Sequence, residues 1–352
     1  MRTLSDKKNN AIDLVCGLIN THQNKTNCNT MQQLARLYYA ESIPAELVQF
    51  DTNNLYGAIV SLWDGVKQRQ ANEVKIRVYN PNYDEHQWHT SHTTVDIICD
   101  DKAFLVSSIT NALGHLGHTI HTTTHPVVAV ERDTKGKVTS ITPFTGKADN
   151  ANLEAMMRFE IDQQTEASAV QEIIDTLTNV ISDVNLVVDD WQPMRSKLVS
   201  IIDTLETQKL PVAAEDLAEN VAFLRWVASN HFTFIGYRSY DLSKDAKTGL
   251  CQLTPKTGTG LGSFRDDNCS PHSLLPTTLS QHQSGLALVP EMLVMTKSTS
   301  RSTVHRPVNF DYLGLKRFDD QGQVVGEDRF FGLYSSAAYT ARIDDIPLLR
   351  RK

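Results

Sequence analysis

The side chains with the most chemical potential fall into a few clusters. Histidines gather twice, as His86, His89 and His92, and as His115, His118, His121 and His125. Imidazoles at such spacing can hold zinc or nickel. No cysteine joins them, and a change from helical to alternating pattern intervenes, so solvated or locally bonded rings are expected and no metal is assigned. Lys297, Arg301, His305 and Arg306 make a basic patch. It could hold an anion by charge-assisted hydrogen bonds, or pair with Glu327, Asp328 or another domain of a larger protein. Gly258-Thr259-Gly260-Leu261-Gly262 is the richest glycine run. A dinucleotide loop needs Gly-x-Gly-x-x-Gly between a strand and a helix, so that backbone N–H groups can approach a pyrophosphate. Here the spacing is Gly-x-Gly-x-Gly and no helical pattern follows before Pro271, so a flexible loop without NAD is expected. With no Walker lysine and no Gly-x-Ser-x-Gly elbow, no catalytic residue is assigned.

Composition narrows the classes. At about 100–200 residues per domain, 352 residues suggest two or three domains. Hydrophobic residues at 40% and charged residues at 21% are ordinary for a globular chain and argue against wholesale disorder. A net charge of −7 argues against a general nucleic-acid binder. No run has the length of a membrane span, and the start lacks the apolar core of a signal peptide. Cys16, Cys28, Cys99, Cys251 and Cys269 are odd in number, widely spread and free of any Cys-x-x-Cys, which predicts a reduced, cytoplasmic protein.

The elements that must position these groups follow from periodicity. Residues 1–72 form a helical region: Leu14, Leu18 and Ile19 fit one helix, Leu34, Leu37 and Tyr38 a second, with a loop over 20–30 between them. Leu55, Ile59, Leu62 and Val66 fit a third. Val74, Ile76 and Val78 alternate as a strand, as do Val95, Ile97 and Cys99. Helix over Leu105 to Leu116, strand over 119–131, strand over 154–161 and helix from Val170 complete a strand-helix-strand-strand-helix order. That is the split βαβ, ferredoxin-like order if a fourth strand exists, and Leu186-Val187-Val188 is the best candidate, although helix suits it as well. Pro193 predicts a break or kink nearby in the helix that continues past Asp189. A helical linker spans 189–229. A second domain, 230–340, has strands at 231–237, 293–296, 307–318 and 324–334, a hairpin turn at Asp319-Asp320-Gln321-Gly322, and mostly loops over 244–285.

Several strings in this second domain carry a resemblance. They are His231-Phe232-Thr233-Phe234-Ile235-Gly236-Tyr237-Arg238, Thr296-Lys297-Ser298 running into Arg301-Ser302-Thr303-Val304-His305-Arg306-Pro307, and Asp311-Tyr312-Leu313-Gly314-Leu315-Lys316-Arg317-Phe318. Gly326-Glu327, Phe331-Gly332-Leu333-Tyr334 and Ser336-Ala337-Ala338-Tyr339 through Ile346-Pro347-Leu348-Leu349-Arg350-Arg351-Lys352 extend it. From about Asp96 onward the chain resembles the N-terminal region of the large bacterial NAD-specific glutamate dehydrogenases.

The resemblance implies an α+β chain. Residues 73–188 would be an ACT-like, ferredoxin-like domain (βαββαβ), 230–340 an antiparallel PAS-like or second ACT-like domain, and 341–352 the start of a further segment. It also implies that this chain is a non-catalytic regulatory or oligomerisation part, with NAD and the dehydrogenase domain elsewhere in the full protein. A free-standing amino-acid sensor and a pure assembly scaffold are the alternatives. Partners would be an amino-acid effector, further copies of the chain and the missing dehydrogenase part, with neither nucleic acid nor membrane. In the family pattern an effector docks where the first ACT strand opens into its helix. Here that segment is Asp100-Asp101-Lys102-Ala103-Phe104-Leu105, with Asp101 the expected helix cap and Phe104 where the pattern has glycine.

Overall fold

Thr3 and Asp6 start the first helix, α1 (Leu4–His22), with a reciprocal cap: the Thr3 hydroxyl accepts from the Asp6 N–H and the Asp6 carboxylate accepts from the Thr3 N–H. The computed structural model describes residues 3–144, 152–208, 210–265 and 274–351. Only Gln23 and Asn24 separate α1 from α2 (Lys25–Ala40), so the expected loop over 20–30 is almost wholly helical. Burial overrode its polar composition, because Cys28 and Met31 lie in the same core as Ile19. A short α3 (Pro44–Leu47) precedes α4 (Thr52–Val66), whose first turn is capped by Asp51.

The chain divides into two units, Met1–Ile181 and Ser182–Lys352. In the first, β1 (Lys75–Tyr79), α5 (Tyr83–His86), β2 (Thr93–Asp100), α6 (Leu105–His115), β3 (Ile120–Thr124), β4 (Val127–Arg132), β5 (Val138–Pro143) and β6 (Asn152–Ile161) follow in order. The strands make a six-stranded antiparallel sheet in the order β1-β2-β6-β4-β5, with β3 also on β6. β3 and β4 lie end to end along β6, parted at His125-Pro126, and the Pro126 carbonyl still accepts from Met156. β2 and the β3–β4 pair therefore run parallel on either side of β6, joined through α6. One sheet face supplies Ile98, Val128, Val130, Val138, Ile141 and Met156 to the core of α1, α2 and α4. The alternate residues Val95, Ile97, Met157, Phe159 and Ile161 are buried as well, as period-2 strands require.

Three expectations fail here. Leu186-Val187-Val188 is not a strand: it lies within α7 (Ala167–Thr207), and β1 takes the sheet edge beside β2. Ile173, Leu177, Val180, Val184, Val187 and Met194 are buried at helical spacing, so Val187 continues a helix stripe. Of the break or kink expected near Pro193, the break is absent: the helix carries the stripe on through Leu198 and Ile202. β5 was not anticipated, because only Val138 and Ile141 of its six residues turn inward.

The second unit holds α8 (Ala214–Trp226), a wide helical turn at Val227–His231, β7 (Phe232–Lys244), β8 (Cys251–Pro255), β9 (Leu261–Gly262), β10 (Thr277–Thr278), α9 (Gln281–Leu288), β11 (Leu293–Arg301), β12 (Asn309–Phe318), β13 (Val324–Tyr334) and α10 (Ser336–Thr340). Its seven-stranded antiparallel sheet runs β10-β8-β7-β13-β12-β11, with β9 also on β7. The strands expected from 231, 293, 307 and 324 are present, and Gly322 at φ 76° closes the β12–β13 turn as expected. The stretch 244–285, expected as loops with one strand, carries β8, β9, β10 and part of α9. Phe234, Tyr237, Leu313 and Phe330 meet α8 and Met194, Leu198 and Ile202 of α7 in one core.

Candidate functional site

β2 delivers Asp100 to the end of the sheet, and four residues cross to α6. The N–H of Asp101 donates to the Leu153 carbonyl at 2.8 Å, so the crossing is still tied to β6. Asp101 is not the cap of α6. That position is held by Phe104, at φ 71°, with no side-chain cap bond. The Phe104 carbonyl instead accepts from the Ser108 N–H at 2.9 Å and the Ser107 hydroxyl at 3.1 Å. A left-handed conformation costs a side-chain-bearing residue roughly 1–2 kcal/mol, which is the reason a glycine suits this position. Lys102 and Phe104 are half-buried, Ala103 is exposed, and buried Leu105 anchors the helix start.

Asp100 is already engaged. Its carboxylate takes Arg69 Nη2 at 2.5 Å, and the same buried guanidinium reaches Glu154 at 2.8 Å. Arg132 grips Glu154 at 2.6 and 2.7 Å and donates to the carbonyls of Val66 and Gly136. Burial pushes the Glu154 carboxyl up, but its bonds to Arg132 and Arg69 hold it below the ordinary range. These groups, with Asp101 and Asn152, line a cleft of about 510 Å³. Asp101 is raised by burial, partly offset by His125. An effector carboxylate at this cleft would meet two aspartates, while Arg132 and the Nη groups of Arg69 are bound internally.

A second ionic centre was missed at the sequence level. Thr94, Asp96, Ile98 and Asp100 share one face of β2, and Glu154, Met156, Arg158 and Glu160 face them in register on β6. Arg158 is forked onto Asp96 at 2.6 and 2.9 Å, and both are buried. Arg77 and the Tyr79 hydroxyl complete the Asp96 carboxylate at 2.9 and 3.0 Å. Burial raises Asp96, yet Arg158 and Arg77 hold it below the ordinary range, while burial pushes Tyr79 up to about 12. The available signal was charge in phase: Asp96 and Asp100, and Glu154, Arg158 and Glu160, stand at even spacing within otherwise apolar strands.

The basic patch disperses. Lys297 pairs with its cross-strand neighbour Asp311 at 2.6 Å. Arg306 donates to the Tyr334 carbonyl at 2.6 Å and lies over the Tyr339 ring. Arg301 is exposed at the end of β11, and His305 sits at φ 67°, its imidazole lowered by burial and by Arg306. Glu327 and Asp328, the expected partners, instead hold Arg329 and Tyr237.

The histidines divide in the same way. His92 and His121, one from each sequence cluster, stack at 4.1 Å, and Glu160 lies 3.4 Å from His92. His86 stacks on Tyr79, His89 on Tyr83, and His118 lies by Asp162. Among the described residues no group of three potential ligands could hold a metal.

The glycine run is a strand contact. β9 pairs with β7, the Gly262 N–H donates to Asp190 at 2.7 Å, and a Cβ at Gly262 would collide with the Ile235 carbonyl. A phosphate would have to compete with that carboxylate. Cys16, Cys28, Cys99 and Cys251 are buried thiols outside any disulfide, and Cys269 lies outside the described residues. Among the described residues no helix is long and apolar enough to cross a membrane.

The comparisons with known proteins agree with this geometry at the level of class. The family model described as "Glutamate dehydrogenase, ACT1 domain" matches residues 34–177, from within α2 to within α7. The chain is thus a mixed α+β protein carrying that domain. It is 32% identical over 320 residues to the NAD-specific glutamate dehydrogenase of Halomonas elongata, covering 90% of this chain and 20% of that protein. The enzyme of the same name from Pseudomonas aeruginosa is 32% identical over 307 residues, 87% of this chain and 19% of its own. That from Mycobacterium tuberculosis is 22% identical over 264 residues, 73% and 15% respectively. These matches support an N-terminal segment of the NAD-specific glutamate dehydrogenase family. It spans about a fifth of the length of the curated relatives it matches.

Proposed function

We propose that this chain is a non-catalytic regulatory and assembly segment of a large NAD-dependent glutamate dehydrogenase. The whole protein would convert L-glutamate, NAD and water to 2-oxoglutarate, ammonia and NADH, with NAD bound outside this segment. The first unit is a ferredoxin-like ACT module in which β1 stands at the edge that a final strand would occupy. Its order, two parallel strands flanking β6 and joined through α6, supports that reading. The second unit is a PAS-like module, in keeping with its long β12–β13 hairpin and irregular 244–285 region. Its partners are further copies of the chain and the dehydrogenase part.

Two observations carry the assembly role over effector binding at the Asp100–Leu105 loop. Phe104 occupies the left-handed position with a side chain, and Asp100 is consumed by Arg69. The loop is built as a structural joint. The test is calorimetric titration of the chain with NAD, together with its NADH yield from L-glutamate and NAD. Neither binding nor turnover is expected. Saturable NAD binding, or any enzyme-dependent NADH, would overturn the assignment.

A further inference from the structure

We infer that the outer edge of β3 takes an added strand from another polypeptide, an extended segment in which an apolar residue is flanked by Lys or Arg. Among the described residues β3 pairs with β6 alone, and β5 covers only β4. The other edge of β3 therefore offers its backbone N–H and C=O groups to whatever lies beside it. Exposed edges are usually blunted: β1 carries Lys75, β5 ends in Pro143 and β11 carries Lys297. β3, Ile120-His121-Thr122-Thr123-Thr124, has no lysine, proline or carboxylate, and past the bulge at His121 its register is regular.

A cavity of about 260 Å³ runs along that edge. Successive side chains of a strand point to opposite faces, so a cavity lined by Thr122, Thr123 and Thr124 together follows the strand's edge rather than one face. Its far wall is the connection from α2 to α4, where Ile43 and Phe50 stand 57% and 48% exposed. Two large apolar side chains left in water beside an open strand edge suit an apolar side chain of an added strand.

Charge selects the flanking residues. Glu41 and Glu46 belong to the same connection and line the same cavity, both exposed, and among the described residues no cation pairs with either. Lys8, beside Glu41, gives its ammonium to the carbonyls of Ala40 and Ser42 at 2.7 Å. The sheet's own charges are already used, Arg158 on Asp96 and Glu160 beside His92. The groove is thus negative, and its complement is cationic. Side chains of an added strand recur on one face at every second residue. The fitting pattern is therefore a Lys or Arg, any residue, an apolar residue, any residue, and a second Lys or Arg, five residues, the length of β3. The site does not depend on whether the segment regulates a dehydrogenase, so either reading can fail alone.

The test is titration calorimetry of the whole chain with the synthetic peptide acetyl-TKTVTKT-amide. Saturable binding of one peptide per chain is expected. The acidic peptide TETVTET and the apolar-free peptide TKTSTKT should bind at least about tenfold more weakly, the loss of a charge-assisted hydrogen bond or of one buried valine side chain. Alternate N–H groups of a strand face opposite edges, so methylating the Lys and Val nitrogens, or instead the Thr nitrogens, should abolish binding in one case and spare it in the other. Glu41→Lys with Glu46→Lys should reverse the preference toward TETVTET, and Phe50→Ser should weaken the parent peptide by about tenfold. All three positions are exposed, and circular dichroism checks that each variant is folded. The proposal is overturned if the parent peptide does not bind, if either control peptide binds as well, or if the two methylated peptides behave alike. It also falls if the double variant keeps the original preference or Phe50→Ser leaves binding intact. A dimer of the chain in sedimentation equilibrium that the double variant dissolves would give the edge to a second copy, and would overturn it too.

Discussion

Phe104 and Asp96 are the residues at which local chemistry decides most. Phe104 holds a left-handed backbone at the head of α6. Replacing it by glycine or alanine removes the same ring contacts, but only glycine adopts that conformation without steric cost. Denaturant melts should therefore find Phe104→Gly more stable than Phe104→Ala by about 1 kcal/mol. Equal stabilities would mean that the loop relaxes away from positive φ. Asp96 is different, because its cost lies in charge. Asp96→Asn leaves buried Arg158 without its counter-ion, and losing one partner of a buried pair costs about 3–5 kcal/mol. An equilibrium unfolding shift below about 1 kcal/mol would show that Arg158 finds another acceptor. The pair's presence was legible as in-phase charge on two strands, whereas its pairing needed the β2–β6 register.

Among the elements, the C-terminal stretch docks on α8 through one carboxylate. Glu219 accepts from the Leu348 N–H at 2.9 Å and from Arg350 at 2.7 and 2.9 Å. Arg350 and the Leu348 N–H lower Glu219 from 4.5 to about 2. A depressed carboxyl favours the folded state in its ionised form. Its contribution is therefore complete above about pH 4.5 and is lost as pH falls toward about 2. Unfolding midpoints measured from pH 7 to 2 should fall less steeply between 4.5 and 2 in Glu219→Gln than in the parent. Parallel curves would place the titration elsewhere. The α8 helix was readable from Leu217, Val221 and Leu224, but nothing in the sequence tied Glu219 to a segment some 130 residues away. Long-range ion pairs leave no periodicity.

At the scale of the molecule, the two units have separate cores, one of α1, α2, α4 and the first sheet, the other of α8, part of α7 and the second. Scanning calorimetry should resolve two transitions. Asp96→Asn should lower one, and Gly262→Ala should lower the other, because the added Cβ meets the Ile235 carbonyl at a left-handed glycine. A single transition moved by both substitutions would make the chain one cooperative body.

What the sequence determined by itself was whatever depends on neighbours along the chain. The stripe of Leu55, Ile59, Leu62 and Val66 made α4, and Asp319 to Gly322 made the β12–β13 turn. The strings of the second unit carried the resemblance to a family. Tertiary structure decided what depends on distant partners. The edge beside β2 went to β1, because Leu186 to Val188 had a better place on a continuous helix stripe. Burial beside Met31 kept most of 20–30 helical against its composition. Arg158, Glu160, Thr122 and Trp88 became one cavity only when β3 settled beside β6, since strand register, unlike strand alternation, is set by the packing of the whole sheet.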